Sequence, residues 1–311
     1  MPGAADFELS LYAPCSWVPR FRRRTPKTRF IRLSPPVLKS LLDGTIKTST
    51  EDAIVEWSDG TTSDVSAERS PHTDLEASIN AYIDELGGAV CPKFDSVCPS
   101  DATWINFHRS LKCSSADDVL LMFNSSERVM NAVNADSGCV LALRKWADLD
   151  DRMEFRVFVQ DEDVIGVSQR SESFFEYEED EMDSIVDKIT FFYDQEVRGL
   201  FPGSFVIDVY LERDNVWIID FDKWEEADAL LFTWQELADA QWMSAGRPQF
   251  RCAQRCGVAP SNRLYDGLPL ELRREDAITD LIAAARRLVE EQSEEEREGL
   301  GDCDDARDEG T

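Results

Sequence analysis

Apolar residues run in two rhythms along this chain. Short stretches alternate or are continuously apolar, as half-buried or buried strands require. They comprise 53–57, Ala89–Phe94, Ala102–Phe107, Cys139–Trp146, Met153–Val159, Val164–Gln169, Ser204–Leu211 and Val216–Phe221. Other stretches repeat at helical spacing: 35–44, 76–86, Ala116–Asn124, Ser184–Arg198, Thr233–Gly246 and Arg273–Glu298. Their ends carry the usual signals. Pro35 and Pro36 start one helix and Gly44 stops it; Gly87-Gly88 end the next; Ser114-Ser115 and Thr233 are cap candidates. The D-E-D turn between 153–159 and 164–169 predicts a hairpin, as does Glu212–Asn215 between the last two strands. The order of strands and helices predicts an α+β fold.

Composition then narrows the function. Lys plus Arg number 33 against 62 Asp plus Glu, for a net charge of −29 over 311 residues. Such a chain does not coat nucleic acid through phosphates. It suits a basic partner, or a ligand that brings a cation. Seven basic residues and no acidic one lie between Arg20 and Arg32, a positive patch for the chain's own acids or for a partner. Eight acidic residues and no basic one lie in 172–187, a solvated face or a docking face. No run approaches the ~20 apolar residues of a membrane span, and no signal peptide is visible. Eight cysteines are too few for a disulfide scaffold here, so reduced thiols and a cytoplasmic location are expected. Cys252 and Cys256 lack two further ligands for zinc. His72 reads as a loop residue, and His108 has no nucleophile beside it, so no triad is expected.

The chemistry concentrates in FVIDVYLE, which presents Asp208, and VWIIDFDKW, which presents Asp220 and Asp222. Strand residues two apart share a face, so Asp220 and Asp222 project together, and pairing across the short turn brings Asp208 near them. Three acids on a buried face repel each other. A hard cation relieves that, and Mg²⁺ is commonly held by one or two carboxylates plus phosphates. Lys93, Lys112, Arg144, Lys145, Arg156 and Arg170 recur near strand ends. Neither the P-loop nor the G-x-G-x-x-G pattern is present.

The strings CSWVPRF, PKFDSVCPSDATWINFHRSLKCSSADDVLLMF, LALRKWADLDDRMEFRVFV, IGVSQRSESFFEY, FVIDVY, WIIDFDKW and LLFTWQEL span roughly residues 15–240. In this order and spacing the chain resembles the cell division cycle protein 123 family. The resemblance implies an ATP-grasp fold with ATP and Mg²⁺ between two α+β lobes. It implies that Lys93 contacts phosphates, and that Ser100, Asp101, Ala102 and Trp104 form a loop and strand over the nucleotide. Arg144, Lys145 and Trp146 would form the hinge beside the adenine, with Asp148 toward the ribose. Arg156 and Arg170 would face phosphates. Asp208, Asp220 and Asp222 would hold Mg²⁺, the first two also lying in the ATP site. This chain has Asp222 where the family usually has Asn, Lys223 where it has Pro, and Ser100 where its loop has Arg.

The resemblance further implies an assembly factor for eukaryotic translation initiation factor 2. Such a factor binds the gamma subunit with ATP bound and has no firmly implied turnover or catalytic residue. The alternative is an active ATP-grasp ligase or protein-modifying enzyme working through an acyl phosphate. The expected organisation is an N-terminal segment 1–88, a first lobe 89–146, a second lobe 147–289 with the metal site, and an acidic tail 290–311. A monomer without direct nucleic-acid or membrane contact is expected.

Overall fold

The strands divide between two sheets. The first has three strands, β1 (Thr28–Leu33), β2 (Val90–Phe94) and β3 (Cys139–Lys145), antiparallel in the order β1-β3-β2. The second has five, β4 (Glu154–Gln160), β5 (Asp163–Gln169), β6 (Phe205–Glu212), β7 (Asn215–Lys223) and β8 (Gln249–Arg251), in the order β7-β6-β4-β5-β8. Only the short β8 pairs in parallel, with β5. The helices are α1 (Pro14–Trp17), α2 (Pro35–Leu42), α3 (Pro71–Leu86), α4 (Ala116–Ser125), α5 (Glu127–Ala132), α6 (Glu179–Phe192) and α7 (Trp234–Asp239). This computed structural model describes residues 11–43, 71–107, 109–239 and 246–253.

Parity sorts each sheet into an apolar and a polar face. On the first sheet Val90, Phe94, Cys139, Leu141 and Leu143 pack with Leu38, Ile79, Ile83, Val119 and Phe123 of α2, α3 and α4. Each such fully buried side chain contributes about 1.5–3 kcal/mol. The intervening residues Cys91, Lys93, Ala142 and Arg144 therefore lie on the opposite face. On the second sheet Phe155, Val157, Ile207, Val209, Ile218 and Phe221 pack against Ile185, Ile189 and Phe192 of α6 and against Trp17, Val18 and Phe21. Their alternates Arg156, Asp208, Asp220 and Asp222 share the other face. The rest of that face is covered by Phe158, Val206, Ala229, Phe232 and Leu237.

Several elements differ from the sequence pattern. Residues predicted as the strand Ala102–Phe107 form a 3-10 helix, Ser100–Ile105. The cause is Asp101, which is buried and accepts hydrogen bonds from the Ser126 hydroxyl (2.6 Å) and the Arg128 amide (3.1 Å). Asp101 thus satisfies the first turn of α5, a helix the pattern did not reveal. β1 was also unread, because Arg29 and Arg32 interrupt its apolar residues. Helix α3 starts at Pro71, five residues before the predicted start, so His72 falls in a helix and not a loop. Thr233 caps α7 as expected: the Glu236 amide donates to its hydroxyl (3.2 Å), and the Thr233 amide donates to Glu236 (2.8 Å). The predicted strand 53–57, the helix Arg273–Glu298, the tail 290–311, His108 and Cys256 lie outside the described residues.

The basic N-terminal patch is partly spent on the chain's own acids. Arg24 bonds Glu196 (2.9 Å), while Lys27 (2.9 Å) and Arg29 both bond Glu85 on α3. These pairs tie β1 and the segment before it to both cores. The hydrogen bond from Arg29, and then that from Lys27, lower the Glu85 pKa from 4.5 to about 2. A depressed carboxylate pKa gives stability that is present above the unfolded value and is lost as pH falls through the folded one. Glu85→Gln should therefore lower the melting temperature at pH 7. The gap between variant and wild type should close as pH drops from about 4.5 toward 2. Thermal melts across that range check this, and a gap as large at pH 2.5 as at pH 7 would contradict it.

Candidate functional site

The polar faces of the two sheets meet around one buried carboxylate. β4 and β6 pair so that Arg156 is directly opposite Asp208, and β6 and β7 pair so that Asp208 is directly opposite Asp220. A bulge follows the Asp208–Asp220 pair, where Val209 faces Ile218 and Ile219 is the extra residue. Asp208 is 1% exposed. Arg156 donates to it through Nε (2.7 Å) and Nη2 (2.8 Å), and Arg170 adds Nε (3.0 Å). Arg170 also reaches Glu154 (3.1 Å), two residues before Arg156 on the same face of β4. The remaining Arg156 nitrogen, Nη1, donates to the Asp228 carbonyl (2.7 Å).

Two contacts come from the first sheet. Lys93 of β2 forms an ion pair with Asp220, and both side chains are largely buried. Arg144 of β3 donates to the Ile219 carbonyl at the bulge and lies over the Trp17 ring, 5.6 Å from its centre.

Three cations, Lys93, Arg156 and Arg170, thus meet four carboxylates, Glu154, Asp208, Asp220 and Asp222. Their electrostatics separate. Burial acts to raise the Asp208 pKa, but the charges of Arg156 and Arg170 outweigh it and hold the group well below the usual carboxylate range. Asp222 goes the other way. Burial and then the neighbouring Asp220 charge push it up to about 6. Its nearest cation, Arg156, is 3.6 Å away and already engaged. Asp222 is a carboxylate short of positive charge.

The residues singled out in the sequence do not all converge here. Lys93, Arg156, Arg170, Asp208, Asp220 and Asp222 come together, and Arg144 joins them through the Ile219 carbonyl. Asp101 does not: its oxygens are turned to α5. Ala102 is fully buried, backbone included. Ser100 and Trp104 lie on the 3-10 helix, with Trp104 37% exposed. Lys145 is exposed at the end of β3. The Trp146 indole donates to Asp148 (2.8 Å), so those two residues engage each other. Among the described residues no three acidic, His or Cys side chains are arranged around one point as metal ligands, because Asp208 gives both oxygens to guanidinium groups. Glu154 was missed, although its parity with Arg156 could have revealed it. The carbonyls of Ile219 and Asp228 carry no sequence signal.

Residues 17–274 match the D123 family. The chain is 31% identical, over 90% of its length and 96% of the relative's, to a Xenopus laevis protein named translation initiation factor eIF2 assembly protein. It is 32% identical, over 75% of its length and 70% of the relative's, to the cell division cycle protein 123 of Phaeosphaeria nodorum. Among solved structures it is similar to C-terminally truncated Cdc123 from Schizosaccharomyces pombe, with a TM-score of 0.64 and 28% identity over 78% of this chain and 95% of that one.

Removing one partner of a buried ion pair leaves the other uncompensated, which costs about 3–5 kcal/mol. Asp208→Ala strands Arg156 and Arg170 and should lose stability of that order in urea unfolding. Asp208→Asn, which keeps an acceptor, should lose less. A loss below about 1 kcal/mol for the alanine variant would show that the cluster does not hold the sheet together.

Proposed function

The chain belongs to the D123 family, and on that premise we propose that it is an ATP·Mg²⁺-binding assembly factor for translation initiation factor eIF2 that engages the gamma subunit. The observation that carries the nucleotide half is the set of cations from two sheets, Lys93 from one and Arg156 and Arg170 from the other, converging on carboxylates. Polyphosphate binding needs such cations, and it needs them free. In this structure they pair with Asp208, Asp220 and Glu154. A divalent cation resolves the competition. Held by the carboxylates, it would leave Lys93, Arg156 and Arg170 free for phosphate oxygens.

The donors fit Mg²⁺, because they are all hard oxygens and Asp222 lacks countercharge. Asp208, Asp220 and Asp222 would hold the ion, which would supply countercharge to the phosphates. Lys93, Arg156 and Arg170 bind and orient the phosphates. Ser100 and Trp104 line the approach, and Arg144 keeps the bulge that aims Asp220. Lys145, Trp146 and Asp148, at the end of β3, are the proposed adenine and ribose side.

The partner reading rests on the names of the relatives, and on charge. Glu176, Glu178 and Glu179 belong to an acidic face beside α6, where Arg152 and Arg247 neutralise only Glu181, Asp183 and Asp187. That face suits a basic surface and speeds encounter with it.

Calorimetric titration with ATP tests the first half. Binding should require Mg²⁺, and Lys93→Ala should weaken it by at least about tenfold, the loss of one desolvated charge contact. An unchanged dissociation constant would remove Lys93 from the site. For the second half, purified gamma subunit of eIF2 should be retained by the immobilised protein with ATP and Mg²⁺, and retention should fall as salt rises past about 0.15 M. No retention at low salt would sink the assembly reading.

A further inference from the structure

Cys91 and Cys98 stand beside the charge cluster, and neither phosphate nor metal binding uses them. Cys91 shares its face of β2 with Lys93, and its register partner on β3 is Arg144. Phe94 and Val97 exchange both backbone hydrogen bonds (2.8 Å each), closing a two-residue turn in which Asp95 takes a positive φ of 49°. Continued one residue beyond the Phe94–Val97 bridge, that pairing brings Cys98 toward Lys93 and diagonal to Cys91. The Cys91 thiol donates to the Pro92 carbonyl (3.9 Å), and its titration and that of Cys98 depend on each other. Both residues are partly exposed, whereas Cys113 and Cys139 are buried in the first core.

We propose that Cys91 and Cys98 are a redox modification site, at which a peroxide forms a disulfide tying the segment that enters the 3-10 helix to β2. Diagonal neighbours sit about 7–8 Å apart at Cα, slightly beyond the usual disulfide span of about 5.5–6 Å. Cys98 lies past the last backbone pair of its turn, so bridging requires the backbone at Cys98 to move toward β2. Two cations flank Cys91, the surroundings in which thiolates persist and react. Its pKa is lowered, first by the neighbouring Cys98 thiol and, against burial, by the charges of Arg144 and Lys93. Burial raises Cys113 and Cys139 well above the ordinary thiol value.

The Cys91 thiolate attacks one peroxide oxygen. The O–O bond breaks, hydroxide leaves and takes a proton to become water, and Cys91 becomes a sulfenic acid. The Cys98 thiolate then attacks that sulfur, the S–O bond breaks, and the departing hydroxide leaves as a second water. Two thiols and one hydrogen peroxide give one disulfide and two waters. The link lies next to Lys93, so oxidation also loosens nucleotide; this last point rests on the nucleotide reading above.

The test is hydrogen peroxide treatment of the full chain, alkylation, and peptide mapping without reductant. A peptide linking Cys91 to Cys98, reversed by dithiothreitol, is expected. Both thiols should lose alkylation at least about tenfold faster than Cys113 and Cys139. In Cys98→Ser, dimedone should trap Cys91 as sulfenic acid. Cys91 and Cys98 that stay as unreactive as Cys113, or a link from Cys91 to another cysteine, overturn the site. In the nucleotide arm, oxidised protein should bind ATP·Mg²⁺ at least about tenfold more weakly, with recovery on reduction. Linked protein of unchanged affinity overturns the coupling. Reduced protein that binds no ATP counts against the nucleotide reading alone, since the linkage is measured without nucleotide.

Discussion

Asp208 is a charge placed where a charge should not survive. Withdrawing a carboxylate from water costs several kcal/mol even after relaxation, and only close countercharge with good hydrogen bonds to both oxygens repays it. Arg156 and Arg170 supply that here, with three donors on two oxygens. Because Arg156 belongs to β4, Asp208 to β6 and Arg170 follows β5, the interaction fixes three neighbouring strands at one level. Arg156 then reaches on to the Asp228 carbonyl, pinning the loop after β7 that carries Phe232 and Trp234 against Phe158. Without the carboxylate, two guanidinium groups would face each other.

The same cluster joins the two sheets. Lys93 crosses from β2 to Asp220, and Arg144 crosses from β3 to the carbonyl of the bulge. Apolar packing backs this polar seam. Trp17 meets Phe221 edge-on (5.2 Å) and lies under Arg144, so the N-terminal segment touches both sides of it. The Arg24 carbonyl accepts from the Ile218 amide (2.6 Å), which covers the outer edge of β7 and removes an open strand edge. The basic run 20–32 is therefore partly architectural, with Arg20, Arg22 and Arg23 left exposed.

Two aspartates on one face of the second sheet differ in charge balance. Asp208 is over-supplied with cations and Asp222 under-supplied. The first holds the fold. The second is a site of stored repulsion that a bound cation would relieve, and such perturbed carboxylates concentrate where ligands bind. The thiol pair at Cys91 and Cys98 sits in the field of the same cations, which links redox chemistry to the seam.

Periodicity alone determined much of this protein. Alternation located six of the eight strands, all but β1 and β8, and it put Asp220 and Asp222 on one face; parity is local geometry, carried by every strand residue. The turn before Val216 sufficed to bring Asp208 near them. Residue strings gave the family resemblance and with it Lys93, Arg156 and Arg170.

 

Only the tertiary structure supplied the rest. β8, three residues long, is too short to show a period, and it exists because β5 offers it an edge. The arginines of β1 hid that strand until Glu85 answered Arg29 from α3, 56 residues away in sequence. Asp101 looked like a ligand contact by position, yet its carboxylate belongs to a helix that starts 26 residues later, and no local pattern encodes that pairing. The partners of the three site aspartates were equally invisible. Whether a buried carboxylate meets a guanidinium, an ammonium or nothing depends on which strands pair and in what register, so the same residue type is a fastening at Asp208 and an unrelieved charge at Asp222. The sequence specified which residues could carry the chemistry, because side-chain type and strand parity are local. Which of them are held and which are left in need of a cation was decided by long-range pairing, because electrostatic energy depends on distance and burial, and both are set only when the two sheets come together.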